Sequence, residues 1–122
     1  MIGYTTVGTN DFEKAAEFYD SLLAMLGAKR LMELESFILW GSDFQKPSFA
    51  IAKPYNKQAA TAGNGTMIAL NAGSQQMVDK LYNKALELGG SDEGAPGNRG
   101  GNFYAAYFRD LDGNKLNAFV VG

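Results

Sequence analysis

The side chains that could do chemistry in this sequence are amides, phenols, carboxylates and cations, because the 122 residues include no Cys and no His. Catalytic triads, Cys–His pairs and imidazole acid–base catalysis are therefore excluded. The commonest ligands of zinc, copper and non-haem iron are missing as well. What remains is hydrogen bonding, ion pairing, and proton transfer by a tyrosine or a carboxylate.

Asn117 is the polar residue whose position is hardest to explain, because it lies in the apolar segment LNAFVV. Strand alternation places it on the same face as Phe119 and Val121. An unpaired buried amide costs about 1–3 kcal/mol, so its side chain needs a partner. That partner could be another protein group, a water molecule, a metal ion or a ligand.

Two glycine-bearing segments resemble ligand-binding motifs. DLDGN, residues 110–114, resembles the start of a calcium loop, but its glycine is fourth rather than sixth. We expect a hairpin turn with Gly113 at positive φ. GAPGNRGGN, residues 94–102, lacks a GK[ST] sequence and a following helix, so the pattern does not favour a phosphate cradle. It is a connector or a loop over a cavity mouth, from which Arg99 would meet an anionic ligand.

Composition predicts one small globular domain. Apolar residues make up 46% of the chain and charged residues 20%, and the net charge is −2. The scattered acidic groups predict neither nucleic acid nor a membrane surface as partner. No apolar run reaches the roughly 20 residues of a membrane span. With no signal peptide at the start and no Cys, we expect a cytoplasmic protein.

Hydrophobic periodicity predicts the same order of elements twice. The first half reads as a strand (2–8), a helix from an Asn10 cap with Glu13 to Gly27, and strands at 28–34, 36–41 and 48–53. The second half reads as a strand (66–71), a helix from Ser74 to Gly89–Gly90, at most a short edge strand near 91–95, and strands at 102–109 and 114–121.

The two halves also align residue by residue. At a shift of 63 positions, Tyr4 matches Met67, Leu23 matches Leu86 and Gly27 matches Gly90. We interpret this as a βαβββ module written twice: module one at about 1–54, a linker at 55–64 and module two at 65–122. The fold class is α+β, with tandem βαβββ modules.

A tandem βαβββ chain of this length resembles the vicinal oxygen chelate superfamily, which includes glyoxalase I, extradiol dioxygenases and bleomycin resistance proteins. It is similar in particular to small bacterial glyoxalase-like proteins. The resemblance covers the whole chain, and its most specific part is the ending FYAAYFRDLDGNKLNAFVV. It implies two modules that form a curled mixed sheet around a cavity, with the helices outside.

The resemblance also implies where metal ligands would lie in metal-dependent members. The usual His positions fall on Tyr4 and Met67, and the usual Glu falls on Asn117. The fourth position falls at residues 49–51, which are Phe, Ala and Ile. We therefore expect no metal and no other cofactor.

The resemblance implies a cavity for a small organic molecule between the two modules. Binding without metal is the leading interpretation. The alternatives are a lyase or isomerase that uses a tyrosine or carboxylate as proton carrier, and a domain without a cavity that acts through a dimer interface. Pairing of modules within one chain or by exchange in a homodimer stays open. The candidate cavity residues are Tyr4, Thr6, Trp40, Phe49, Met67, Arg99, Tyr104 and Asn117.

Overall fold

The computed structural model describes residues 1–122 and contains two helices and eight strands. The first half comprises β1 (Tyr4–Gly8), α1 (Phe12–Ala24), β2 (Lys29–Leu34), β3 (Phe37–Gly41) and β4 (Ser48–Ala52). The second half comprises β5 (Ile68–Asn71), α2 (Gln75–Glu87), β6 (Ser91–Asn98), β7 (Phe103–Arg109) and β8 (Lys115–Val121). Neither helix is long and apolar enough to cross a membrane.

The chain divides into two compact units, Met1–Ala62 (unit 1) and Gly63–Gly122 (unit 2). Each unit contains one four-stranded sheet, in the order β1-β4-β3-β2 in unit 1 and β5-β8-β7-β6 in unit 2. In both sheets the first and last strands of the module pair in parallel, and the other pairs are antiparallel. The predicted α+β fold of tandem βαβββ modules is confirmed.

The largest departure from the predicted elements is β6, which has eight residues where at most a short edge strand near 91–95 was predicted. It runs over Ser91–Asn98, and its pairing with β7 shifts register between Asp92 and Gly94 and again between Gly94 and Gly97. Its glycines and proline carry no strand signal. An edge strand tolerates such residues and such bulges because only one side of its backbone must pair.

The start of α1 also differs from the prediction. Asp11 is the N-cap, and its side chain accepts a hydrogen bond from the backbone N–H of Lys14 at 3.2 Å. Asn10 instead holds the chain after β4, because its Nδ2 donates to the carbonyl of Ala60 and its Oδ1 accepts from that residue's N–H, at 3.1 and 2.7 Å. In α2 the predicted Ser74 cap is confirmed.

Both helices end in the same glycine motif. The glycine that follows each helix has a positive φ, which is +79° at Gly27 after α1 and +103° at Gly89 after α2. The following residue, Ala28 or Gly90, donates its N–H to a carbonyl five positions back, at 3.1 and 2.8 Å. Gly27 therefore corresponds to Gly89. The alignment of the two halves at a shift of 63 positions, which pairs Gly27 with Gly90, is wrong by one residue at the helix ends. The cause is one extra residue between the end of α1 and its glycine.

Each helix packs on one face of the sheet in its own unit. In unit 1, the ring of Tyr19 from α1 lies 5.9 Å from Trp40 and 4.6 Å from Phe49. In unit 2, the hydroxyl of Tyr104 donates to Asp79 of α2 at 2.7 Å. These contacts identify the face of each sheet that its helix covers.

Asp20 of α1 connects the helix to two strands of unit 1. Its carboxylate accepts hydrogen bonds from Arg30 Nε and Nη2 at 2.8 and 2.7 Å and from Trp40 Nε1 at 2.9 Å. The hydrogen bonds from Arg30, supported by the one from the indole, hold the pKa of Asp20 below its ordinary value. A lowered pKa in the folded state stabilises the fold above the unfolded pKa and loses that contribution as the pH falls.

We expect Arg30→Met to lower the urea midpoint at neutral pH. The gap from the unmodified protein should begin to shrink as the pH falls below about 4, the ordinary pKa of an aspartate, and should close at lower pH as the carboxylate of folded Asp20 is protonated. The measurement is urea unfolding at a series of pH values. Lys46→Met is the control, because the pair of Lys46 with Asp43 is long (3.9 Å) and exposed. A gap that stays constant with pH would contradict the assignment.

Candidate ligand-binding faces

Each sheet has one face that its own helix covers and one that this helix does not, which we call the uncovered face. In unit 1, Trp40 and Phe49 face α1, so alternation places Phe37 and Leu39 on the uncovered face. The pairing of β1 with β4 gives Thr6 the same face as Ala50. This face is therefore built from all four strands of the unit.

The uncovered face of unit 1 carries an open cavity of about 890 Å³. Phe37 and Thr6 lie on its strand side, and Lys53, Tyr55 and Lys57 line it from the end of β4 and the segment that follows. Lys57 has φ +64°, an uncommon conformation for a residue with a side chain. The cavity thus combines an aromatic ring with hydroxyl-bearing side chains and Lys57. The ammonium of Lys53 instead lies 5.4 Å from the ring of Phe12 in α1.

A second cavity of about 230 Å³ lies at the other end of the same face, next to Tyr4. Its walls include Met32, Leu39 and Phe44. The ring of Tyr4 meets Phe37 edge to face at 6.0 Å, although β4 lies between their strands. Tyr4 is 58% exposed, which is high for a residue with so many apolar neighbours.

In unit 2, Asn117 lies on the uncovered face. The bond from Tyr104 to α2 places Tyr107 on the opposite side of β7, and Tyr107 pairs directly with Asn117 of β8. Asn117 is 1% exposed, and its Oδ1 has no hydrogen-bond partner. Oδ1 of Asn117 is therefore an unpaired buried acceptor, which usually costs about 1–3 kcal/mol of stability.

Two cations lie on the ring of Tyr107. The guanidinium carbon of Arg99 is 5.4 Å from the ring centroid, and Nζ of Lys115 is 5.5 Å from it. Such distances are within the range of cation–π attraction. The nearby Arg109 differs, because its Nη2 forms an ion pair with Glu93 at 2.8 Å.

The structure distributes the eight candidate residues over different surfaces. Trp40, Phe49 and Tyr104 lie on the helix-covered faces, where they pack against or bond to the helices. Tyr4 and Thr6 lie on the uncovered face of unit 1 and Asn117 on that of unit 2. Met67, 41% exposed, directly precedes β5, and Arg99 directly follows β6.

Phe37, Tyr107 and Lys115 are not among the eight candidate residues, although the aromatic strand that carries Tyr107 was expected to line the cavity with one of its two faces. A signal for two of them was present: the DGN turn sets the register of the β7–β8 hairpin, and that register places Tyr107 across from Asn117 and Lys115 two residues before it. The turn itself is as predicted, with Gly113 at φ +86°. For Phe37 no local signal exists, because its role depends on which face α1 covers.

Comparison with known proteins identifies the family. The family model of the Glyoxalase/Bleomycin resistance protein/Dioxygenase superfamily matches residues 1–118. The chain belongs to this superfamily. No curated protein sequence matches it significantly.

Among solved structures, the chain is similar to a glyoxalase/bleomycin resistance protein from Albidiferax ferrireducens T118. The identity is 35%, the match covers 100% of this chain and 99% of the other, and the TM-score is 0.90. A hypothetical protein of S. aureus is 27% identical, with 98% and 92% covered and a TM-score of 0.75. A fosfomycin resistance protein of Listeria monocytogenes is 16% identical, with 100% and 93% covered and a TM-score of 0.73, which shows the shared fold alone.

The residues at the expected metal positions do not fit a transition metal. Tyr4, Met67 and Asn117 offer a phenol, a thioether and a neutral amide. The strand pairing places the fourth position at Ala50. Thr6 of β1 pairs with Ala50 of β4 in unit 1, and the equivalent pair in unit 2 is Ala69 of β5 with Asn117 of β8. No group of three or more His, Cys, Asp or Glu side chains is placed to hold a metal ion.

Proposed function

We propose that this protein binds a small organic molecule without a metal ion, on the uncovered faces of its sheets. The open cavity of about 890 Å³ on unit 1 carries the proposal. Its volume is within the usual range for ligand sites, about 300–1,000 Å³, and it combines an aromatic wall with a few polar groups, as such sites do. A site between the two modules, a homodimer and a cytoplasmic location stay predictions from the sequence.

Binding is better supported than acid–base catalysis as a lyase or isomerase. Tyr104, one of the expected proton carriers, donates to Asp79 on the helix-covered face, and this hydrogen bond raises the pKa of Tyr104 above its ordinary value. A higher pKa makes a tyrosine a weaker proton donor near neutral pH. A catalytic role would act through Tyr4, the other tyrosine expected to carry a proton, or through Glu35, the carboxylate that lines the cavity.

The test is a fragment screen by ligand-observed NMR, together with thermal unfolding in EDTA and then in excess zinc, nickel, manganese or iron(II). We expect uncharged fragments to bind the unmodified protein and Ala52→Trp to abolish their binding, because Ala52 lines the cavity and the indole would fill it. We expect no shift in melting temperature with any metal. A real metal site would raise it by several degrees.

Ala59→Trp is the matched control, because Ala59 is exposed in the segment after β4 and does not line the cavity. It should bind fragments as the unmodified protein does. Binding of uncharged fragments that survives in Ala52→Trp would show that this cavity is not their site. Stoichiometric metal in the purified protein would overturn the metal-free proposal.

A further inference from the structure

The guanidinium of Arg99 lies against two glycines of β6, Gly94 and Gly97. The side chain turns back along the strand, and its Nη2 donates to the carbonyl of Ala95 at 2.6 Å. A Cβ atom at Gly97 would lie 2.9 Å from Nη1, and one at Gly94 would lie 3.2 Å from Nη2. A side chain at either position would crowd the guanidinium above Tyr107 and displace it. The two glycines therefore help to set the position of this charge.

Arg99 and Lys115 bring two positive charges to one ring, and neither forms an ion pair with a carboxylate. The ion pairs of unit 2 are those of Lys84 with Glu87 and of Arg109 with Glu93. Each charge lies within about 5.5 Å of the same ring centroid, so an anion bound beside this ring would be attracted by both. Arginine in a fixed orientation also offers its free N–H groups to a carboxylate or phosphate.

Asn117 supplies an independent observation at the same place. It lies directly across from Tyr107 and two residues from Lys115 on the same strand face, a spacing of about 7 Å. Its buried Oδ1 lacks a donor. An acceptor without a partner selects a ligand that brings an N–H or O–H group. Because Asn117 is 1% exposed, a ligand reaches this oxygen only when a neighbouring side chain moves, and the flexible Lys115 lies two residues away on the same strand face.

We propose that the uncovered face of unit 2 binds an organic anion that carries a hydrogen-bond donor at the opposite end of a flat group. The anionic group lies between Arg99 and Lys115, the flat group lies against Tyr107, and the donor binds Oδ1 of Asn117. This inference rests on the proposed function and specifies the chemistry of the ligand. One aromatic ring with a substituent at each end is comparable in length to the backbone spacing of about 7 Å between residues 115 and 117.

The test uses para-aminobenzoate as probe, measured by ligand-observed NMR titration. Benzoate lacks the donor, and para-aminobenzamide lacks the charge. We expect para-aminobenzoate to bind about tenfold or more tightly than either relative, since one good hydrogen bond or charge contact is worth about a factor of ten. Equal affinity for the acid and the amide, or no binding of para-aminobenzoate, would overturn the inference.

Four variants assign the contacts. Asn117→Leu should make para-aminobenzoate and benzoate bind equally, and it should leave the free energy of unfolding unchanged or raised, because an unpaired buried acceptor is removed. Arg99→Gln and Gly97→Ala should each remove most of the preference for the acid over the amide, the second by displacing the guanidinium with its charge intact. Lys80→Gln, an exposed position on α2, should change nothing.

These results can be separated from those for the proposed function. The cavity of unit 1 is tested by Ala52→Trp, which leaves the unit 2 residues unaltered. If fragments bind unit 1 but para-aminobenzoate does not bind, the inference about unit 2 is wrong and the proposed function stands. If the unit 2 variants change nothing while para-aminobenzoate binds, the assignment of its site is wrong.

Discussion

Trp40→Ala should lower the free energy of unfolding by about 3–5 kcal/mol, the usual cost of deleting a large buried aromatic side chain. The indole is 1% exposed, and Tyr19 lies 5.9 Å away across the helix–sheet contact. Truncation would leave a cavity in a close-packed core. It would also remove the N–H that donates to Asp20 at 2.9 Å. The measurement is urea unfolding followed by circular dichroism at neutral pH.

Two further substitutions separate packing from hydrogen bonding at this position. Trp40→Phe keeps much of the apolar volume and removes the indole N–H, so we expect a smaller loss of about 1–3 kcal/mol. Phe44→Ala removes an aromatic ring that is 66% exposed and should cost less than about 1 kcal/mol. If Trp40→Ala costs no more than Phe44→Ala, the indole is not part of the packed core.

Asp110→Ala should lower the free energy of unfolding by about 2–4 kcal/mol. Asp110 is 6% exposed at the turn between β7 and β8. Its Oδ1 accepts from the backbone N–H groups of Asp112 and Asn114, both at 2.9 Å, and its Oδ2 accepts from Asn114 Nδ2 at 2.9 Å. Hydrogen bonds to a charged group are worth about 1.5–3 kcal/mol each before compensation, and the donors would stay buried without this acceptor.

The matched control is Asp43→Ala. Asp43 accepts from the N–H of Gln45 at 2.8 Å in the same kind of turn, but its side chain is about half exposed. Water can replace the lost acceptor there, so the cost should stay below about 1 kcal/mol. The loss of stability in Asp110→Asn should be intermediate. One oxygen is retained to accept the backbone hydrogen bonds, but the new NH2 group would face the NH2 group of Asn114, and two donors cannot bond. Equal losses for Asp110→Ala and Asp43→Ala would contradict the structural role of the buried turn.

Local patterns were enough to predict the order of elements and the β7–β8 turn. Helical and strand periodicity, the Ser74 cap and the glycine at 113 act within a few residues, so a single sequence reveals them. The length of β6 was underestimated because its pairing depends on β7 and not on its own glycine-rich composition. The prediction that Asn10 caps α1 is wrong because its side chain forms hydrogen bonds with the backbone of Ala60, fifty positions away.

The candidate site was only partly accessible to sequence reasoning. Asn117 could be singled out because an amide inside an apolar strand is anomalous wherever the strand packs. The faces of β3, β4 and β7 could be separated by alternation, but which face a helix covers is a tertiary property. Trp40, Phe49 and Tyr104 were therefore grouped with residues that lie on the other side of their sheets.

The extra residue between α1 and Gly27 shows where this fold accommodates a change in chain length. A residue added inside a strand would turn every later side chain of that strand to the opposite face. After α1, the added residue is taken up in tight turns that bond Met25 to Leu22 and Leu26 to Leu23. The strands that follow keep the same order and the same pairing as in unit 2. For an engineer, the segment between Glu87 and Gly89 is therefore the natural place to insert one residue into unit 2 without disturbing its sheet.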